Sequence, residues 1–374
     1  MPQAVFVLHL DDYQGFVVAK RYPPTFSVNE KMLNLVYYLH GEGKKADIKL
    51  IDVEGRRMAT YSSEEHPGWL VCFALNIEED FVQNSKKLAG MGRFILELAT
   101  RSPDYLEIGE IIRKGAVIEE PTNEQVCARV FLTPSSTLLL DKLQSEGIQK
   151  SKTMEIWLRD QLQARDVDLR TAVFPLMDAG LVKVEMVGRD EHSTPPRSGV
   201  ETVFLIRDLF CYRAPPSESM ETTRATHPEI TEEYRKYVES FFAGYNPTAQ
   251  TEDPNSPQVA DRETIARRVS DRISYIVIGL LRKGALSVKE ISRAAVLPHE
   301  LVQKILFNME SEKIAVHFPD CDCWALISDP AFETFIPEYV LPVVAQKYVE
   351  NQIDAESARR YFELLVETWG DGND

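Results

Sequence analysis

The sequence predicts an α+β chain: a small N-terminal sheet with helices, two helix-rich units each closed by a hairpin, and a helical C-terminus. Three observations predict it. Short runs of apolar residues bounded by turn signals fill the stretch up to Leu75. Helical spacing of apolar residues dominates from about residue 78 onward. A pattern of three helices then two strands occurs twice, closing on the similar stretches "LMDAGLVKVEMV" and "NMESEKIAVHF".

The first element is a hairpin, "FVLHLDDYQGFVVAKRYP", with strands over residues 3–10 and 15–22. Gly15 supplies the positive φ that its turn requires. Pro23-Pro24 ends the second strand. Ser27 with Glu30 reads as a capping box. The helix behind it carries Met32, Leu33, Val36 and Leu39 and stops at Gly41-Glu42-Gly43. Three strands are expected over Asp47–Val53, Arg57–Tyr61 and Trp69–Leu75, turning at Gly55 and at His66-Pro67-Gly68. A long helix over 78–100 and a shorter one near Tyr105–Ile112 complete a unit spanning 1–113.

Residues 114–129 read as a connector. In the next unit, 130–212, helices are expected at Ser135–Gln144, Thr153–Gln163 and Leu169–Ala179, and strands at Leu181–Val187 and Val200–Ile206. The polar loop Gly188–Gly199, with Pro195-Pro196, separates the strands. Three helices and a two-stranded hairpin is the winged-helix plan. Residues 213–260 are a Pro, Ser, Thr and Glu-rich linker with one amphipathic helix at about Glu229–Phe242. The plan repeats over 261–330, with helices Thr264–Arg282, Ser287–Ala294 and Pro298–Glu312 and strands Ile314–Phe318 and Trp324–Ile327. Helices fill 331–374, with a frayed tail Gly370–Asp374.

The chain has 374 residues, with 42 Lys+Arg against 58 Asp+Glu, a net charge of −16. Such a surface repels nucleic acid in general. No apolar run reaches the length of a membrane span, and the N-terminus lacks the pattern of a secretory signal. Cysteines at 72, 127, 211, 321 and 323 form no even framework, so a reduced, cytoplasmic location is expected.

A DNA-reading winged helix presents Arg, Lys, Asn or Gln from its third helix to base edges. The first unit offers Asp166, Asp168, Arg170 and Asp178. The second offers His299, Gln303, Lys304 and Asn308, with Glu300 and Glu310 beside them. Residues 261–330 hold ten basic and ten acidic residues, so that unit forgoes the counterion-release term. Packing modules or protein-binding faces are the plainer reading, and a DNA-binding transcription regulator the alternative. "HFPDCDCW" gathers His317, Asp320, Cys321, Asp322 and Cys323, but Cys-x-Cys has no partner pair, so no metal is expected. No Gly-x-Ser-x-Gly occurs, Gly41-Glu42-Gly43-Lys44-Lys45 lacks P-loop spacing, and no cofactor is implied. Arg21, Arg56 and Arg57 at hairpin ends are the candidate partner-binding residues. An arginine offered in trans can neutralise charge on a GTP γ-phosphate. The plainer reading is solvated basic side chains. Unpaired edges of the N-terminal sheet are where another chain, including a second copy, would add.

The element order of 3–112, carried by "FVLHLDDYQGFVVAKRYP", "ADIKLIDVEG", "RRMATY", "GWLVCFALN" and "EEDFVQNSKKLAGMGRFILELATRS", resembles the longin domain. A longin domain followed by winged-helix units resembles the nitrogen permease regulator 2-like and folliculin group. That resemblance implies regulation of a Rag-type small GTPase; with no catalytic signature in this acidic, multi-module chain, the expectation is a non-enzymatic scaffold or regulator that binds a small Ras-like GTPase or a roadblock-type protein. It also implies that a GTPase-activating arginine, where present, lies in the loop before the last longin strand. Here that loop is Tyr61-Ser-Ser-Glu-Glu-His-Pro-Gly68, which has no arginine.

Overall fold

The computed structural model describes residues 2–11, 13–40, 47–76, 79–164, 167–190, 197–246 and 257–370. Expectations placed on Asp12, the helix stop at 41–43, Asp166, Pro195-Pro196, the linker stretch 247–256 and the tail 371–374 lie outside the described residues.

Strands β1 (Ala4–Asp11) and β2 (Gly15–Tyr22) form the hairpin, followed by α1 (Glu30–His40). The helix is capped by Asn29, whose Oδ1 accepts from Met32 N at 2.7 Å. Asn29 adjoins the first turn, whereas Ser27, the expected cap, lies two residues too early. Strands β3 (Asp47–Val53), β4 (Arg56–Ser62) and β5 (Trp69–Ala74) complete a five-stranded sheet in the order β2-β1-β5-β4-β3. All its pairings are antiparallel. The burial pattern follows from that order: β1, flanked by β2 and β5, buries Val5 and Val7 on one face and Phe6 and Leu8 on the other. The first face packs on α2 (Phe81–Arg101) and the second on α1. Gly92 of α2 sits so close that a Cβ there would lie 2.7 Å from the Tyr61 ring. Helix α3 (Ile108–Lys114) follows.

The expected connector contains a helix, α4 (Asn123–Val130). It opens with a capping box in which Thr122 and Gln125 satisfy each other's backbone N–H groups. The first winged-helix unit comprises α5 (Pro134–Glu146), β6 (Ile148–Lys150), α6 (Ser151–Leu162), α7 (Leu169–Asp178), β7 (Val182–Asp190) and β8 (Arg197–Leu205). Its strands run in the order β6-β8-β7. Then come β9 (Asp208–Ala214), α8 (Ser217–Thr226) and α9 (Thr231–Ala243).

The single helix expected over Thr264–Arg282 is two. Helix α10 (Pro257–Ser270) ends at Asp271, whose carboxylate caps α11 (Arg272–Leu281) by accepting from Ser274 N. The second unit continues with β10 (Leu286–Ser287), α12 (Val288–Ala295), α13 (His299–Ser311), β11 (Ala315–Phe318) and β12 (Cys323–Leu326), in the order β10-β12-β11. Strand β13 (Asp329–Phe335) pairs antiparallel with β9 and joins the two units. This strand takes up part of the segment expected to be helical from Phe332. Helices α14 (Leu341–Val349) and α15 (Ala355–Gly370) close the chain.

Packing crosses these units. One core joins the α2 face of the sheet to α11, α12, α13 and β12. A second joins the first winged-helix unit to α4, α10, α14 and α15. Helix α10, contiguous with α11, thus packs in the other core. Among the described residues no helix is long and apolar enough to cross a membrane.

Candidate functional site

The third helices of the two winged-helix units, α7 and α13, close with the same pattern of backbone hydrogen bonds. Leu181 N donates to Leu176 O, and Ile314 N donates to Met309 O. Ala179 donates to Pro175, and Glu312 to Asn308. Each pair is offset by the same 133 positions (314 − 181, 309 − 176, 312 − 179, 308 − 175). The same offset places Phe174 on Phe307. Both rings stand on the outward face and are exposed, by 64% and 54%. The Phe307 ring packs edge-on against buried Trp324 at 5.6 Å.

Around Phe307 lie the residues singled out for DNA reading. His299, Gln303 and Lys304 are exposed on α13 and Asn308 is half-buried, with Glu300 and Glu310 also exposed. The face therefore carries one lysine, two glutamates and an aromatic ring. On α7, Arg170, Phe174, Met177 and Asp178 are exposed, while Asp168 is spent as the N-cap, accepting from Arg170 N at 3.0 Å. A groove-reading helix needs cations for phosphates and polar side chains for base edges. These helices instead expose apolar side chains together with charges of both signs.

Two of the three candidate arginines are brought together. Arg21 Nη1 donates to the Phe26 carbonyl at 3.3 Å, and the Arg56 guanidinium lies over the Phe26 ring at 5.5 Å. Phe26 belongs to the loop between β2 and α1, so both cations are gathered at the same end of the α1 face. Arg57, half-buried, stands across from Asp52 of β3 in the strand register.

The loop that resemblance made the place for a catalytic arginine is occupied otherwise. Glu65 accepts from Arg129 at 2.8 Å and pairs with Arg272 at 2.9 Å. His66 faces Glu97 of α2 at 3.5 Å. Glu97 is 1% exposed and also faces Arg101 at 3.3 Å and Arg272 at 3.5 Å. None of these contacts is a short hydrogen bond to Glu97, whose two oxygens are buried among cations at ion-pair distance. Burial pushes the Glu97 carboxyl up, but His66 and the charges of Arg101 and Arg272 outweigh it and hold the group below the usual carboxylate range. Burial lowers Arg272. Glu65, His66 and Glu97 could offer three metal ligands within 4.8 Å, but the Arg272 guanidinium already bridges the two carboxylates. This cluster is a seam between the sheet and α11.

His317 stacks near Trp324 at 4.8 Å and pairs with Asp322 at 3.2 Å, while Cys321 and Cys323 are joined in a disulfide. Sequence reasoning missed Phe174 and Phe307 because it looked on the third helices for polar readers. The signal was present in the similar tails, which align once the helix ends are fixed. No known family, curated protein or solved structure matches this chain.

Proposed function

We propose that this chain is a non-enzymatic cytoplasmic scaffold that binds protein partners through the outward faces of α7 and α13. The observation that supports it is the pair of exposed phenylalanines at equivalent positions, Phe174 and Phe307. Aromatic side chains held on a rigid helix are typical anchors for a protein partner. The partner class, a small Ras-like GTPase or a roadblock-type protein, rests on the resemblance of the element order in 3–112. Arg21 and Arg56, gathered at Phe26, form a second contact patch suited to an acidic partner surface.

The test is affinity purification of the tagged full-length chain at low salt, with a nuclease-treated control. A small GTPase or roadblock-type protein retained after nuclease, and lost in the Phe174→Ala/Phe307→Ala chain, is the expected result. Salt-sensitive binding to duplex DNA that survives both substitutions and weakens with Gln303→Ala or Lys304→Ala would overturn it in favour of a transcription regulator.

A further inference from the structure

We propose that His227, Cys321 and Cys323 form a site for a divalent transition-metal ion of the zinc class, filled when the two cysteines are thiols. Cys-x-Cys alone supplies two ligands, and the sequence offered no second pair. The fold supplies a third from 94 positions upstream (321 − 227). His227 sits where α8 ends, and one ring nitrogen and both sulfurs lie within 4.8 Å of one another.

Three features make this a built arrangement. The turn between β11 and β12 places Asp322 in the left-handed region (φ 50°), which turns the cysteines on either side of it toward each other, with Cα atoms 5.2 Å apart. Zinc bound by two thiolates at about 2.3 Å holds the sulfurs about 3.8 Å apart, a separation such a turn accommodates. Cys323 is buried in the small apolar cluster of Ile230, Tyr234, Phe318 and Ala325, which keeps the inner side of the site dry. Glu229 Oε1 lies 3.2 Å from His227 Nδ1. A carboxylate on one ring nitrogen of a metal-binding histidine orients the ring and raises its basicity.

Nitrogen and thiolate ligands together select zinc over magnesium or calcium. Loading follows from reduction. A dithiol reductant attacks the Cys321–Cys323 disulfide, leaves as its own disulfide, and leaves two thiols on the chain. The divalent ion then binds both sulfurs, and two protons are released. The bound ion would tie the end of α8 to the hairpin of the second winged-helix unit. The fourth position remains for water or an external ligand.

The test is cobalt titration of the full-length chain, reduced with a phosphine. Thiolate-to-cobalt charge-transfer absorption saturating at one ion per chain, and bleached by zinc, is expected. The Cys321→Ser/Cys323→Ser chain should lose the band. His227→Ala and the exposed substitution Glu229→Gln should both keep the far-ultraviolet circular dichroism of the parent, and Glu229→Gln should weaken cobalt binding by about 10–100-fold. Absence of the band in the reduced chain, its persistence in the double serine chain, or unchanged affinity in His227→Ala would overturn the site.

Discussion

Glu97 is the residue on which the junction between the N-terminal sheet and α11 turns. It is a buried carboxylate facing His66, Arg101 and Arg272, with Glu65, Arg129 and Asp271 completing the surroundings. Removing one partner from such a cluster leaves its cations desolvated without compensation. Glu97→Gln is therefore expected to destabilise the chain by about 3–5 kcal/mol, read by urea unfolding. Pairing it with Arg272→Met should recover part of that loss, because the arginine left buried is then gone. The carboxyl titrates lower in the folded chain than in the unfolded one. Its contribution is thus present above the ordinary glutamate range and lost as pH falls through the lowered folded value. Urea midpoints measured downward from neutral pH should fall more steeply for the parent than for Glu97→Gln. Parallel curves would assign the acid sensitivity to other carboxylates, such as Glu146 between Lys142 and Lys347, which is also held low.

At the scale of elements, close approach decides more than propensity. A Cβ at Gly92 would strike the Tyr61 ring, which is itself buried against α2. Gly92→Ala, favourable by helix propensity alone, should instead lower stability by about 1–3 kcal/mol through overpacking. A thermal midpoint equal to or above the parent's would show that the ring shifts freely. The same contrast explains what could be read from the sequence. The five strands of the first sheet and the third helices were legible because alternation and helical spacing are local signals, printed in consecutive residues. Strands β9 and β13 were not. Their pairing joins Asp208–Ala214 to Asp329–Phe335, and nothing in either stretch names the other. The break between α10 and α11 was also missed, since the apolar spacing runs through it. Asp271 was its one mark, an acid at the start of the second helix. The candidate site divides in the same way. Arg21 and Arg56 were visible as hairpin-end cations, but their meeting at Phe26 required the loop to cross the sheet's end.

For the whole molecule, the two cores set what can move independently. The core that holds α2 also holds α11, and the Glu65–Glu97–Arg272 seam closes over the join. The opposite face of the same sheet, with α1, packs in a separate cluster. Elements sharing one core open together, and those in separate clusters open at their own cost. Native-state hydrogen exchange should therefore give slow-exchanging amides of α2 and α11 the same opening free energy. Glu97→Gln should speed exchange in both helices together while leaving α1 amides nearer the parent's rates. If α11 alone were to accelerate, the second winged-helix unit would be docked on the sheet rather than folded with it. A partner held on α13 would then bind a unit free to swing. Matched exchange would instead mean that the outward face of α13 keeps a fixed position relative to the α2 face of the sheet, because both belong to one core.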